Sequence, residues 1–229
     1  VGRAATAGIQ SLQKFIGASG RSKETLLGET LLYVFMEQVL GAPKILSKIE
    51  VDDIANKSKS DGIYLFRLER RGIPYNQLLF GASNIYGDLK IAIDSVFTKV
   101  QKIEQNYDEE FIIVDNTKNQ NILPDGMNRY MKEIMFPSKS LPNSNPPDMA
   151  FGCFLGYTVK VTSSAINNAQ YEADVKAQMK SDIDAVIPYI KNQINVLGLN
   201  NYEFYFYVVP FNDATSERVS LIDEMIGGI

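Results

Sequence analysis

Two short stretches hold the residues whose types and spacing could do chemistry. Asp61 lies in SKSDG (58–62), just ahead of the alternating run GIYLFRLE. The second stretch, NQLLFGASNIYGDLK (76–90), reads as a strand that hands over to a helix. Residues i and i+2 of a strand project from the same face. A carboxylate at 82 and a lysine at 84 would therefore converge with Asp61 on the neighbouring strand. Carboxylates so placed hold a hard divalent cation, which acidifies a bound water and polarises a phosphate. The lysine would orient that water and offset developing negative charge. The chain instead carries Ala82 and Asn84. Alanine cannot bind a metal, and asparagine has no charge. Glu29, in a Gly-Glu pair, adds one more acid. Read alone, Ser-Asp-Gly is ordinary turn chemistry, Glu29 a solvated helix residue, and Ala82 and Asn84 a small strand end and a turn residue.

Composition narrows the options. There is no histidine and a single cysteine, Cys153. That removes Ser-His-Asp and Cys-His catalysis and most zinc sites, so any metal site uses oxygen ligands, which suits magnesium, manganese or calcium. An internal disulfide is impossible. Cys153, in MAFGCFLGYTV, reads as a buried small hydrophobe, in keeping with a reducing cytoplasm. The net charge of −4 argues against unaided tight binding to DNA. Lys44, Lys48, Lys57, Lys59, Arg67, Arg70 and Arg71 cluster in sequence and read as solvated edges, with phosphate contact as the functional alternative. Apolar runs of about a dozen residues are too short to cross a bilayer, and no signal peptide is visible. The expected location is the cytoplasm, away from membrane.

The elements that must position these residues follow from periodicity. Residues 22–41 form a helix with Ser22 as N-cap and Gly41 and Pro43 as its end. Gly28 inside it costs about 1 kcal/mol against alanine and suits a close approach of another backbone. Strand-like runs follow at 45–52, 62–69 and 77–82, with turns in NKSKSDG and RRGIPYN. Residues 87–105 form an amphipathic helix that buries Ile93, Val96, Phe97, Val100 and Ile103. One or two helices occupy about 108–136, and a Pro- and Ser-rich loop follows at 137–148. Then come a buried strand at 149–159, a long helix at about 166–197, the strand YEFYFYVVPF at 202–211 and a helix at about 213–226. The aromatic strand could be a base-stacking platform, but its burial pattern favours a core role. The order α-βββ-α-(α)-β-α-β-α gives one α/β domain over 1–229, a mixed sheet flanked by helices, with a helical insertion at about 108–148.

This order resembles the PD-(D/E)XK, restriction-endonuclease-like core. More specifically, the sequence resembles the HamA family, the nuclease subunits of the Hachiman antiphage defence system. The likeness runs through LGETLLYVFMEQVLGAPKILSKI (27–49), KSKSDGIYLF (57–66) and LLFGASNIYGDLKIAIDSVF (78–97). It implies a metal-dependent DNA nuclease using magnesium or manganese, partnered by a superfamily-2-type helicase subunit, HamB-like, and acting on DNA. It also implies site residues at Asp61 and Glu29, which would hold the metal, and at positions 82 and 84, where the family has glutamate and lysine. Ala82 and Asn84 depart from that pattern. The copy is then either a nuclease with its cleavage disabled or a naturally inactive nuclease-like subunit that regulates or anchors a helicase. Lys90 and Lys57 are candidates to stand in for the missing lysine.

Overall fold

The computed structural model describes residues 23–47, 58–70, 72–110, 148–161 and 167–227. The Ser22 cap, the end of the run at 45–52, and the insertion and loop beyond residue 110 lie outside them. The described elements are α1 (Lys23–Val34), β1 (Lys44–Ser47), β2 (Gly62–Arg70), β3 (Ile73–Tyr86), α2 (Leu89–Gln105), β4 (Asp148–Thr158), α3 (Asn168–Val196), β5 (Glu203–Phe211) and α4 (Ala214–Gly227). The last turns of the expected first helix, Phe35–Leu40, take wider π geometry. They end at Gly41, whose φ of 73° is the left-handed cap that glycine adopts freely.

The five strands form one sheet in the order β1-β2-β3-β4-β5. β1, β2 and β3 run antiparallel, whereas β3, β4 and β5 run parallel. Parallel strands need crossovers; α2 and α3 supply them on one face, and α1 and α4 cover the other. One face packs Ile63, Leu65, Leu78, Phe80, Phe151 and Leu155 with the apolar side of α2. The other packs Tyr64, Leu79, Ile85, Ala150 and Phe154 beneath α1 and α4. Burial on both faces explains why QLLFGA and MAFGCFLGYT are almost continuously apolar. Cys153 sits within this core, and burial pushes its thiol well above the ordinary range.

β3 is longer at both ends than periodicity suggested. Its first residues pair with β2 as far as Arg70↔Ile73, so the RRGIPYN turn contracts to a tight reversal in which Gly72 has φ 78°. Its last residues pair with β4 as far as Tyr86↔Tyr157, so residues 82–86 continue the strand. A ladder partner outweighs the local turn preference of Asn84, and the reversal comes at Gly87. The aromatic strand β5 closes one end of the described sheet and is half-buried, its rings packed against the core: Phe204 and Phe206 lie 5.9 and 6.2 Å from the Phe97 ring, and Tyr207 lies 5.0 Å from Phe35. Among the described residues, no helix is long and apolar enough to cross a membrane.

Candidate functional site

The site arises where β3 outruns β2. Alternate residues of a strand turn both backbone polar groups to the same side, and here residues 81, 83 and 85 turn theirs towards β2. Asp61 N–H donates to the Gly81 carbonyl at 2.8 Å, and there the ladder ends. Side chains satisfy the backbone groups beyond it. Ser83 N–H donates to Asp61 Oδ2 at 2.7 Å. Lys99 Nζ donates to the Ser83 carbonyl at 2.8 Å. Arg218 Nη1, from α4, donates to the Ile85 carbonyl at 3.2 Å. Three ionic side chains thus replace a missing strand, as buried backbone groups require.

Asp61 Oδ2 is the hub. Besides Ser83 N–H it accepts from Ser83 Oγ and from Lys99 Nζ, each at 2.7 Å. The Asp61 side chain is fully buried, and that of Lys99 is 26% exposed. The hub is fixed from behind. Ser60 Oγ donates to the Gly62 carbonyl at 2.7 Å and accepts from Gly81 N–H at 3.1 Å, tying the loop to β3. Glu110 is buried just past α2. It accepts from Ser58 Oγ at 2.7 Å and from Lys59 N–H at 2.5 Å. Burial raises the Glu110 pKa above the usual carboxylate range; hydrogen bonds from Ser58, Lys59 and Ser60 and the Lys59 charge only partly oppose it.

Helix geometry brings Lys99 here. Asp88 caps α2 by accepting from Lys90 and Ile91 N–H at 2.9 and 3.1 Å, so the helix reverses immediately after β3. Lys99 lies ~16 Å back along the helix from Asp88, and Ser83 lies ~10 Å back along β3 from Tyr86, a gap that a lysine side chain spans. Sequence reasoning missed Lys99 and named Lys90 and Lys57. Lys90 is exposed at the start of the helix, with its ammonium 5.7 Å from the Tyr189 ring centroid. Lys57 is outside the described residues.

Of the four sequence-predicted positions, Asp61 lies at the hub. Glu29 is buried on α1, and its charge and that of Asp61 both act on the phenol of Tyr64. Burial first, and then the charges of Asp61, Glu37 and Glu29, push that phenol far above its ordinary value. The adjacent Gly28 is a close-approach glycine, although against a side chain: a Cβ there would lie 3.0 Å from Ser83 Oγ. Ala82 lies on the opposite face of β3 from Ser83. It is fully buried with Ile63, Leu78, Phe80 and Cys153 and stands apart from the polar group. Asn84 donates through Nδ2 to Ser95 Oγ at 2.8 Å, while its buried Oδ1 has no hydrogen-bond partner. A cavity of about 350 Å³ joins Gly28, Ser83, Asn84, Ser95, Lys99 and Arg218.

The donor set does not fit a divalent metal. Among the described residues, no group of three or more His, Cys, Asp or Glu side chains could hold one. The two oxygens best placed for a hard cation, Asp61 Oδ2 and the Ser83 carbonyl, both accept from the same ammonium.

A five-stranded mixed sheet with helices on both faces and an acidic hub beside its third strand defines a restriction-endonuclease-like α/β protein. The chain belongs to the HamA family, whose model matches residues 3–225. HamA proteins are components of the Hachiman antiphage defence system. No curated protein and no solved structure matches the chain.

Proposed function

We propose that this chain is the nuclease-type subunit of a Hachiman complex, working on DNA with a helicase partner, and that its own cleavage site is disabled at positions 82 and 84. One observation carries the reading. On the strand whose edge a buried aspartate caps, at the two positions where the resemblance calls for a glutamate and a lysine, stand Ala82, sealed in the apolar core, and the uncharged Asn84. A bound magnesium or manganese ion would supply an activated water and charge neutralisation at the phosphate. Asp61 and Glu29 are the residues left to approach such an ion, and the first is already neutralised by Lys99. Asp61, Ser83 and Lys99 in this state hold the end of β3 together.

The test is the double variant Ala82→Glu with Asn84→Lys, with its folding checked by thermal melting. It is expected to cut DNA when magnesium or manganese is added, and the parent chain is not. A folded double variant that leaves DNA intact with either metal, with the partner present or removed, would overturn the nuclease reading. The self-neutralised hub favours a second reading, in which the chain is naturally inactive and regulates or anchors a helicase. That reading expects the unaltered chain to change the ATPase rate of a co-purified helicase subunit.

A further inference from the structure

We infer that the cavity at the end of β3 is a seat for one phosphorylated nucleotide, in which Arg218, Lys99 and Ser95 hold the phosphate and Tyr86 takes the base. At about 350 Å³ the cavity falls within the size range of small-ligand pockets. It lies at the carboxyl end of a sheet strand, between α2 on one face and α1 and α4 on the other, where α/β sheets leave a crevice for ligands. Its wall is rich in donors. Among the described residues that line it, Arg218 and Lys99 bring two cations, and none is a carboxylate. Lys99 commits two of its three ammonium protons to Asp61 Oδ2 and the Ser83 carbonyl. Ser95 Oγ accepts from Asn84 Nδ2, which leaves its own proton to give. Arg218 reaches in from α4 with Nη1 on the Ile85 carbonyl, and its planar fork of five N–H groups matches the oxygens of a phosphate. Asp61 answers the Lys99 charge from behind, so Arg218 is the group that sets the affinity for an anion, with Lys99 and Ser95 as added donors.

The rim selects what the phosphate is attached to. Tyr86, 43% exposed, and Ile91, 48% exposed, both line the cavity. An exposed ring and an aliphatic side chain beside cations make a platform of the kind on which single bases stack. A base inside a duplex has no free face to offer such a ring. The ligand is therefore a free nucleotide or the unpaired, phosphorylated end of a DNA strand, and the two share one chemistry. The inference rests on the DNA reading only for the second source. It concerns binding by the unaltered chain, so it stands or falls independently of whether any variant cuts DNA.

The experiment is fluorescence anisotropy on the unaltered chain, with a chelator present so that no metal contributes. The probes are short single-stranded DNA oligonucleotides with a terminal phosphate at one end, at the other, or at neither. The competitors are thymidine monophosphate and thymidine. A phosphorylated oligonucleotide is expected to bind about tenfold more tightly than its hydroxyl-ended twin. Displacement by thymidine monophosphate and not by thymidine assigns the seat to a free nucleotide; the same phosphate preference without displacement assigns it to a DNA end. Arg218→Gln is expected to erase the preference. If that variant fails to fold, Ile91→Glu, which sets a carboxylate on the exposed rim, is expected to erase it as well. Tyr86→Ala should weaken binding about tenfold, and Tyr86→Phe, which keeps the ring, should not. Equal binding of phosphorylated and hydroxyl-ended probes would overturn the inference. So would a preference that survives the change at Arg218 or Ile91, or binding that Tyr86→Ala leaves unchanged.

Discussion

The Asp61–Lys99 pair is the contact on which the end of β3 most depends, and a double-mutant cycle measures it. Asp61→Ala removes the acceptor of three donors: Ser83 N–H, Ser83 Oγ and Lys99 Nζ. The hydroxyl can rotate, and Lys99, 26% exposed, can relax towards water. The buried Ser83 N–H has neither escape, and an orphaned buried donor costs ~1–3 kcal/mol. With a modest loss from the lysine, the single change should cost ~3 kcal/mol. Lys99→Met acts from the other side, taking the ammonium away from a fully buried carboxylate. Breaking a buried pair typically costs ~3–5 kcal/mol, and the adjoining cavity should hold the figure near 3. The double change leaves neither charge stranded, so it should cost ~3–4 kcal/mol, well short of the sum, with a coupling of ~2 kcal/mol. Equilibrium urea unfolding of the four proteins reads this directly. If the two single changes add to within ~0.5 kcal/mol, the pair does not form as described, and the edge-capping account fails with it.

Two further outcomes test the frame around the hub. Because burial in the folded state raises the pKa of Glu110 above that of an ordinary glutamate, it holds that proton more firmly than the unfolded chain does. The stability gained from this group is therefore complete below the unfolded carboxylate pKa and is lost as pH rises through the raised folded value. Glu110→Gln should remove that decline from urea midpoints taken between about pH 4 and 8, whereas an unchanged slope in the glutamine variant would show that another group titrates. Two β4 glycines should respond unequally to alanine. At Gly156 the new Cβ would lie 2.8 Å from Ile85 Cγ1 and 2.7 Å from Phe211 Cε2, and a stiff β-branched neighbour yields little, so a loss of ~1–3 kcal/mol is expected. At Gly152 it would meet Met36 Cε and Sδ at 2.7 Å, and an unbranched thioether can swing aside, so the loss should be smaller. Thermal melting ranks the two, and the reverse order would refute the reasoning.

The sequence makes the frame legible and hides the part that decides the chemistry, for a physical reason. Period-2 and period-3.6 patterns report which face of an element is buried, so the stripe through Ile93, Val96, Phe97, Val100 and Ile103 and Asp61 at the mouth of β2 fell where expected, whereas the strand at 202–211 formed as expected but lies half-buried at the end of the sheet rather than in its core. Patterns do not report where a strand finds a partner. That is why Asn84 read as a turn, although β4 carries the ladder on to Tyr86 and the chain bends only at Gly87. Lys99 was hidden in the same way, because its partners are distant in sequence: 16 residues away at Ser83 and 38 at Asp61. A local signal did exist. Lys99 falls three residues after Val96 and four before Ile103, on the margin of a stripe that is otherwise apolar. A lysine at such a margin needs an acid or an open carbonyl across from it. A helix that reverses straight after β3 can face only the end of that strand and whatever caps it. The unpaired charge and the uncapped strand end are each ambiguous alone. Set against each other they have one common solution, an aspartate at the β2 entrance and a lysine two turns into the following helix or beyond, closing the same edge.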